Sequence, residues 1–279
     1  MTGLELSSLN GAFVAILDGR EMGLVTAIER AQAETRDCAY LTWLDHCSGS
    51  DLYTVVDHVA VIGVYGSLVP NLPFHGSDYI TGYNCIRIAV SAALRDADVS
   101  AIALDISSPG GIVSGCFELC EFLREVREEK PVMAIVRDLA ASAAYAIAST
   151  AHVIAAPETG AVGSIGVFRL HGDFSKMFED VGINLSQIYS GARKVDGSPY
   201  MPLSDDARAK WQGVVDEYRE LFAKHVSAGR DVSVADILST EAELYDGPSN
   251  LNRAREIGLI DQIMSPDQAF AALVKSIQT

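Results

Sequence analysis

Residues 102–136, IALDISSPGGIVSGCFELCEFLREVREEKPVMAIV, carry the pattern from which the architecture follows. Ile102–Ile106 is a short, mainly apolar run of the kind that makes a strand buried on both faces. Ser108-Pro109-Gly110-Gly111 breaks that run, and a helix is predicted over 111–130. Its apolar stripe is Val113, Cys116, Phe117, Cys120, Leu123 and Val126, spaced at three and four residues. Pro131 stops the helix, and Val132–Val136 is a second apolar strand. A strand, a helix and a strand in that order make a parallel pair, because the crossover must carry the chain back to its starting edge.

The same rhythm extends in both directions. Upstream, Val59–Val69 reads as a buried strand, 70–82 as a loop bearing Pro and Gly, and Asn84–Arg95 as a helix. Downstream, further units are expected at 152–156, 165–168, 174–181 and 185–189, before a long amphipathic helix over 205–229. Ser265-Pro266-Asp267-Gln268 has a capping serine, a proline at the first helical position and a glutamine three residues past the cap, which starts a helix ending near Ile277. The expected fold class is α/β, a mainly parallel sheet covered by helices. Residues 58–279 form the main domain, and 1–57, with a helix over 19–45, form an N-terminal appendage, with an assembly arm, a cleaved propeptide and part of the interface all open as its role.

Composition narrows the function classes. A net charge of −16 repels polyanions, so no nucleic-acid partner is expected. The 49% hydrophobic share, 21% charged share and mean hydropathy of +0.18 are those of a soluble globular chain. Cys38, Cys47, Cys85, Cys116 and Cys120 have no CxxC spacing and read as buried thiols in a reducing compartment. The N-terminus lacks a basic region followed by an apolar core, and the weakly polar run 139–157 is interrupted by Ser142, Ser149, Thr150 and His152. Neither a signal peptide nor a membrane anchor is expected. Without HExxH, a P-loop or histidines at ligand spacing, no metal and no cofactor is expected. Glu118, Glu121, Glu128 and Glu129 read as a solvated helix face.

Three short segments carry the chemistry. Glycines in Ser108-Pro109-Gly110-Gly111, at a strand end followed by a helix, can present backbone N–H groups to an anion. Ser142 stands among Ala140, Ala141, Ala143 and Ala144, which allow close backbone approach. Lys194 follows Ser190-Gly191-Ala192-Arg193 in a loop. Taken singly, these are an ordinary turn, a packing serine and a solvated lysine. Taken together, they supply an oxyanion cradle, a nucleophile and a base. A lysine used as a base near neutral pH must be brought down from about 10.4 towards 7, at a cost of roughly 4 kcal/mol that desolvation can supply.

The order Asp105 to Gly111, Ala141-Ser142-Ala143-Ala144-Tyr145, Gly163-Ser164-Ile165-Gly166-Val167 and Ser190-Gly191 through Lys194 resembles the signal peptide peptidase A family of serine proteases. The likeness spans roughly residues 58–265. Tyr189-Ser190-Gly191, Lys194-Val195-Asp196-Gly197-Ser198-Pro199-Tyr200, Thr240-Glu241-Ala242 with Tyr245-Asp246-Gly247, and Thr81-Gly82-Tyr83-Asn84 are similar to the bacteriophage and prophage head-maturation branch. The resemblance implies a ClpP/crotonase-like fold, Ser142 as nucleophile, Lys194 as general base and Ser164 as the hydroxyl that orients the lysine. It implies an oxyanion hole from the amides of Gly110 and Ala143, and a substrate strand lying between Gly111-Ile112-Val113 and Val162-Gly163-Ser164. It also implies closed rings in which one protomer's serine meets its neighbour's lysine. Scaffold, portal or capsid proteins and the chain itself would be substrates, within an assembling prohead in the bacterial host cytoplasm.

Ala143-Ala144 stands where relatives often carry glycine, and phage relatives often continue past the position of Thr279 into a scaffold segment. A cellular peptidase that degrades signal peptides and a catalytically silent capsid component are the rival readings. Intact Ser142 and Lys194 argue against the silent one. A Ser-His-Asp triad lacks its GxSxG elbow, and an acyl-CoA enzyme needs no Ser/Lys pair.

Overall fold

A computed structural model describes residues 13–17, 20–35, 52–72 and 76–278. The chain enters with β1 (Phe13–Ile16) and α1 (Glu21–Thr35), followed by β2 (Thr54–Val56), β3 (Val59–Val69) and β4 (Ile80–Gly82). Next come α2 (Tyr83–Arg95), β5 (Ala101–Ile112), α3 (Cys116–Val126), β6 (Val132–Ala141), α4 (Ala143–Ala148) and β7 (Val153–Ala156). Then follow β8 (Ala161–Gly163), β9 (Phe168–Arg169), α5 (Ser175–Asp180), α6 (Asp205–Gly229), α7 (Val234–Ser239) and β10 (Leu244–Asp246). The chain closes with α8 (Gly247–Ile257), β11 (Gln262–Ile263) and α9 (Pro266–Ile277).

β3, β5, β6 and β7 are parallel neighbours at the centre of the sheet. Alternation along each strand explains why they are almost wholly apolar: both faces are covered. Ile102, Leu104 and Ile106 of β5 and Val132, Ala134 and Val136 of β6 face α2, α3 and α4. Ala101, Ala103, Met133 and Ile135 face Ala269 and Leu273 of α9. The capping box expected at Ser265 is present and starts α9.

The sheet splits at its C-terminal end, and that split makes the site. β5 and β6 pair as far as Ser108 opposite Ala140. Beyond that point β5 runs on beside β3 and β1, with Ala15 opposite Gly111, while Leu139–Ala141 of β6 pair with β8.

Four expectations are corrected. The helix predicted from residue 111 begins at Cys116, because 110–112 continue the strand and the turn comes at Gly115 with φ +85°. Of the 165–168 unit only Phe168 is strand, at the start of Phe168–Arg169, and 185–189 forms none. Phe13–Ile16, inside the segment expected as a helical appendage, joins the sheet. The helix expected over 19–45 is seen as α1; its continuation past Thr35, with Cys38 and Cys47, lies outside the described residues. Cys85, Cys116 and Cys120 are buried thiols, as read.

His225 of α6 stacks on Phe117 with ring centroids 4.8 Å apart, and its Nδ1 accepts from Arg124 Nη2 at 3.2 Å. Burial, then the neighbouring Arg124 charge, holds its pKa below 6.5, against a weaker opposing pull from Glu121 and Glu118. The folded state therefore resists protonation. The stability this contributes is present above the unfolded value and lost as pH falls through the lower folded one. Calorimetry should show a Tm drop of about 2–4 °C between pH 7 and 5 that His225→Gln flattens; an unchanged slope in the variant would assign the loss to other groups.

Candidate active site

Ser142 is the hinge between β6 and α4, with φ +53° and ψ −120°. L-residues are strained there and persist only where their surroundings over-determine them. The surroundings here are close. Ala140, Ala141, Ala143 and Ala144 are all fully buried, the Ser142 N–H donates to Gly163 O at 2.8 Å, and Ala146 N–H donates back to Ser142 O at 2.9 Å. Tyr145 pins α4 from behind by donating its hydroxyl to Leu259 O at 2.7 Å. The Ser142 hydroxyl itself donates to Gly166 O at 3.3 Å, a long bond that leaves it readily diverted.

The glycines around the serine are required by close approach. A Cβ on Gly110, whose φ is +99°, would meet Ala15 O at 2.2 Å and both Ala141 O and Ala143 N at 3.0 Å. Gly110 and the Ala143 amide are thus immediate neighbours across the split. As the first residue of α4, Ala143 has no acceptor for its N–H one turn back in the helix. The Gly110 N–H donates to Ser108 Oγ at 3.1 Å, and that hydroxyl donates on to Gly66 O at 2.6 Å.

On the far side of the serine lies the turn of residues 163–166. Gly163 has φ +107° and Ser164 φ +53°; Ser164 N–H donates to Glu243 O, and Gly166 N–H to Ser164 O. The structure therefore gathers Ser142, Ala143, Gly110, Gly163 and Ser164 into one place. It does not bring Lys194 to them. Lys194 is exposed, its N–H donates to Gly191 O at 2.9 Å, and among the described residues no hydrogen bond joins it to Ser142. Neighbouring Arg193 pairs with Asp206 and, at 3.5 Å, with Asp196.

Two expectations about the cradle and cleft are also corrected. Gly110 sits inside β5 rather than at the start of the helix that follows it in sequence, which begins at Cys116. Val162–Gly163 offers no free edge for a substrate strand, because β8 is paired with β6 on one side and β10 on the other. The edge at Gly110, Gly111 and Ile112 is real, but β1 lies along it. Val113 follows, its N–H donating to Phe13 O at 3.2 Å. Sequence reading gave no role to Ser108, Gly166 or Ala15. The first two lie inside the motifs and could have been suspected from their glycine neighbours; Ala15 carries no local signal.

Among the described residues no cluster of His, Cys, Asp and Glu could hold a metal ion, and no helix is long and apolar enough to cross a membrane.

The sequence profile of peptidase family S49 matches residues 124–278. Capsid assembly protease C of Escherichia phage lambda is 37% identical over 225 residues, 79% of this chain and 50% of that protein. Head-tail preconnector protein GP5 of Enterobacteria phage P21 is 32% identical over 271 residues, 94% of this chain and 53% of that one. A putative signal peptide peptidase SppA of Enterococcus faecium is 30% identical over 186 residues, 65% of this chain and 52% of that one. The chain thus spans about half the length of the curated relatives it matches.

Proposed function

We propose, since the chain belongs to peptidase family S49, that it is a serine endopeptidase acting through Ser142 and Lys194 on the proteins of an assembling phage head. Ser142 Oγ attacks the peptide carbonyl, and Lys194 takes the hydroxyl proton and returns it to the leaving amine. Ser164 holds the lysine, and the amides of Gly110 and Ala143 receive the oxyanion. The observation that carries the reading is the strained Ser142 backbone, held beside Gly110 and Ala143 where β5 and β6 part.

Lys194 completes the site from a second copy. The segment leading to it exposes Val181, Ile183, Leu185, Ile188 and Tyr189, with Ile188 100% exposed. Packing a neighbour's cleft there would bury that apolar surface and strip water from the lysine, as a lysine base requires. A ring with one shared site per interface follows from such head-to-tail contact.

The phage relatives, a capsid assembly protease and a head-tail preconnector protein, support scaffold, portal or capsid proteins and the chain itself as substrates, cut inside the prohead in the host cytoplasm. Treatment with a fluorophosphonate, followed by peptide mass mapping, should place the label on Ser142. Co-expressed scaffold and portal proteins should be trimmed. Labelling at another serine, with trimming intact in Ser142→Ala, would overturn the assignment.

A further inference from the structure

We infer that Phe13–Ile16 is a tethered strand seated in the peptide cleft, a built-in occupant that a substrate must displace; the inference rests on the peptidase reading above. β5 and β9 are not paired with each other. β1 lies between them, antiparallel to both, with Val14, Ala15 and Ile16 opposite Ile112, Gly111 and Gly110, and with Phe13 and Val14 opposite Arg169 and Phe168. Without β1 the slot has two open strand edges, the arrangement that captures an extended peptide by strand addition.

The seated strand runs over the candidate oxyanion site. Its C-terminal end lies at Gly110, Ala15 O stands where a Gly110 side chain would begin, and Leu17 N–H donates to Pro109 O at 2.7 Å. Beside the seated strand the Gly110 amide donates to Ser108 Oγ at 3.1 Å. The side chains fill what would be substrate pockets. Phe13 lies between Tyr218, at a 4.8 Å centroid distance, and the Arg169 guanidinium, while Val14 and Ile16 pack on Leu24 and Val25 of α1. Ala15 is 1% exposed and packs into the main core.

The strand is also releasable. Four residues paired over such short ladders belong to the low-stability end of a fold, unlike the long β3–β5 ladder at the centre. An occupied cleft weakens apparent peptide affinity in proportion to the fraction of molecules with the strand out. A peptide that replaces β1 would match its pattern of aromatic, aliphatic, small and aliphatic residues.

The test uses the full chain and a fluorescein-labelled peptide of residues 11–19, GAFVAILDG. Ala15→Pro removes an N–H at the centre of the strand. By anisotropy it should bind the peptide at least about tenfold more tightly than the unaltered chain, and should hydrolyse short apolar peptides faster by a similar factor. Equal binding by the two chains would overturn the inference. In the unaltered chain, excess unlabelled peptide should speed hydrogen exchange at residues 13–17; protection there that stays equal to that of β5 would overturn it as well, even if Ala15→Pro fails to fold. Ser142→Ala combined with Ala15→Pro keeps the two readings apart. Binding retained with hydrolysis lost supports both, whereas hydrolysis retained overturns the Ser142 assignment and leaves the binding result to decide the strand.

Discussion

Ser142→Ala is expected to lower peptide hydrolysis by roughly 10⁴-fold or more, and Lys194→Ala by a similar factor, because nucleophile and base act as one unit. Lys194→Arg should fail equally, since a guanidinium does not give up its proton near neutral pH. The informative measurement is a mixture. If each site takes Ser142 from one copy and Lys194 from its neighbour, equal amounts of the two inactive chains, co-assembled, recover activity wherever a lysine-deficient copy presents its serine to a serine-deficient copy's lysine. Random assembly makes that about one interface in four, so about a quarter of the unaltered activity should return. A site closed within one chain would return none. The exposed position of Lys194, away from buried Ser142, makes this the outcome that separates the two arrangements.

Gly110→Ala is the second substitution with a large effect. The backbone there has φ +99°, and the new methyl would stand 2.2 Å from Ala15 O and 3.0 Å from Ala141 O and Ala143 N. Left-handed strain alone costs about 1–3 kcal/mol, and Ala141 and Ala143, whose backbone atoms it also meets, are fully buried at the junction of β6 and α4 with little room to shift. A Tm loss of about 5–10 °C is expected from a total near 3 kcal/mol. Displacing the Gly110 or Ala143 amide should remove a further roughly 10²- to 10³-fold of activity, the scale of losing one oxyanion donor. Hydrolysis at the unaltered rate by a normally stable Gly110→Ala chain would remove Gly110 from the cradle.

Much of the scaffold was legible because its signals are local. The runs Val59–Val69 and Val132–Val136, the stripe from Cys116 to Val126, the helix Asp205–Gly229 and the capping box at Ser265 each declare themselves within a few residues, and each is present. The α/β, ClpP/crotonase-like class expected from the motifs is that of the observed sheet. The misread stretches lack such signals. Ile112 and Val113 have apolar side chains that suit helix and strand alike, and long-range pairing with Val14 of β1 settled Ile112 as strand. Leu185–Tyr189 has strand-forming residues but pairs with no strand among the described residues.

By itself, then, the sequence determined the order of elements and the small-residue setting of Ser142, since propensity, capping and steric allowance act between neighbours. Tertiary structure decided the rest. It drew Gly110 into a strand, placed Ala143 N beside it, closed both edges of Val162–Gly163, seated Phe13–Ile16 in the remaining slot and left Lys194 outside. The reason is that pairings between segments such as β1 and β5, roughly a hundred residues apart, form only once the sheet has brought two open edges together, and no local pattern encodes which edges those will be.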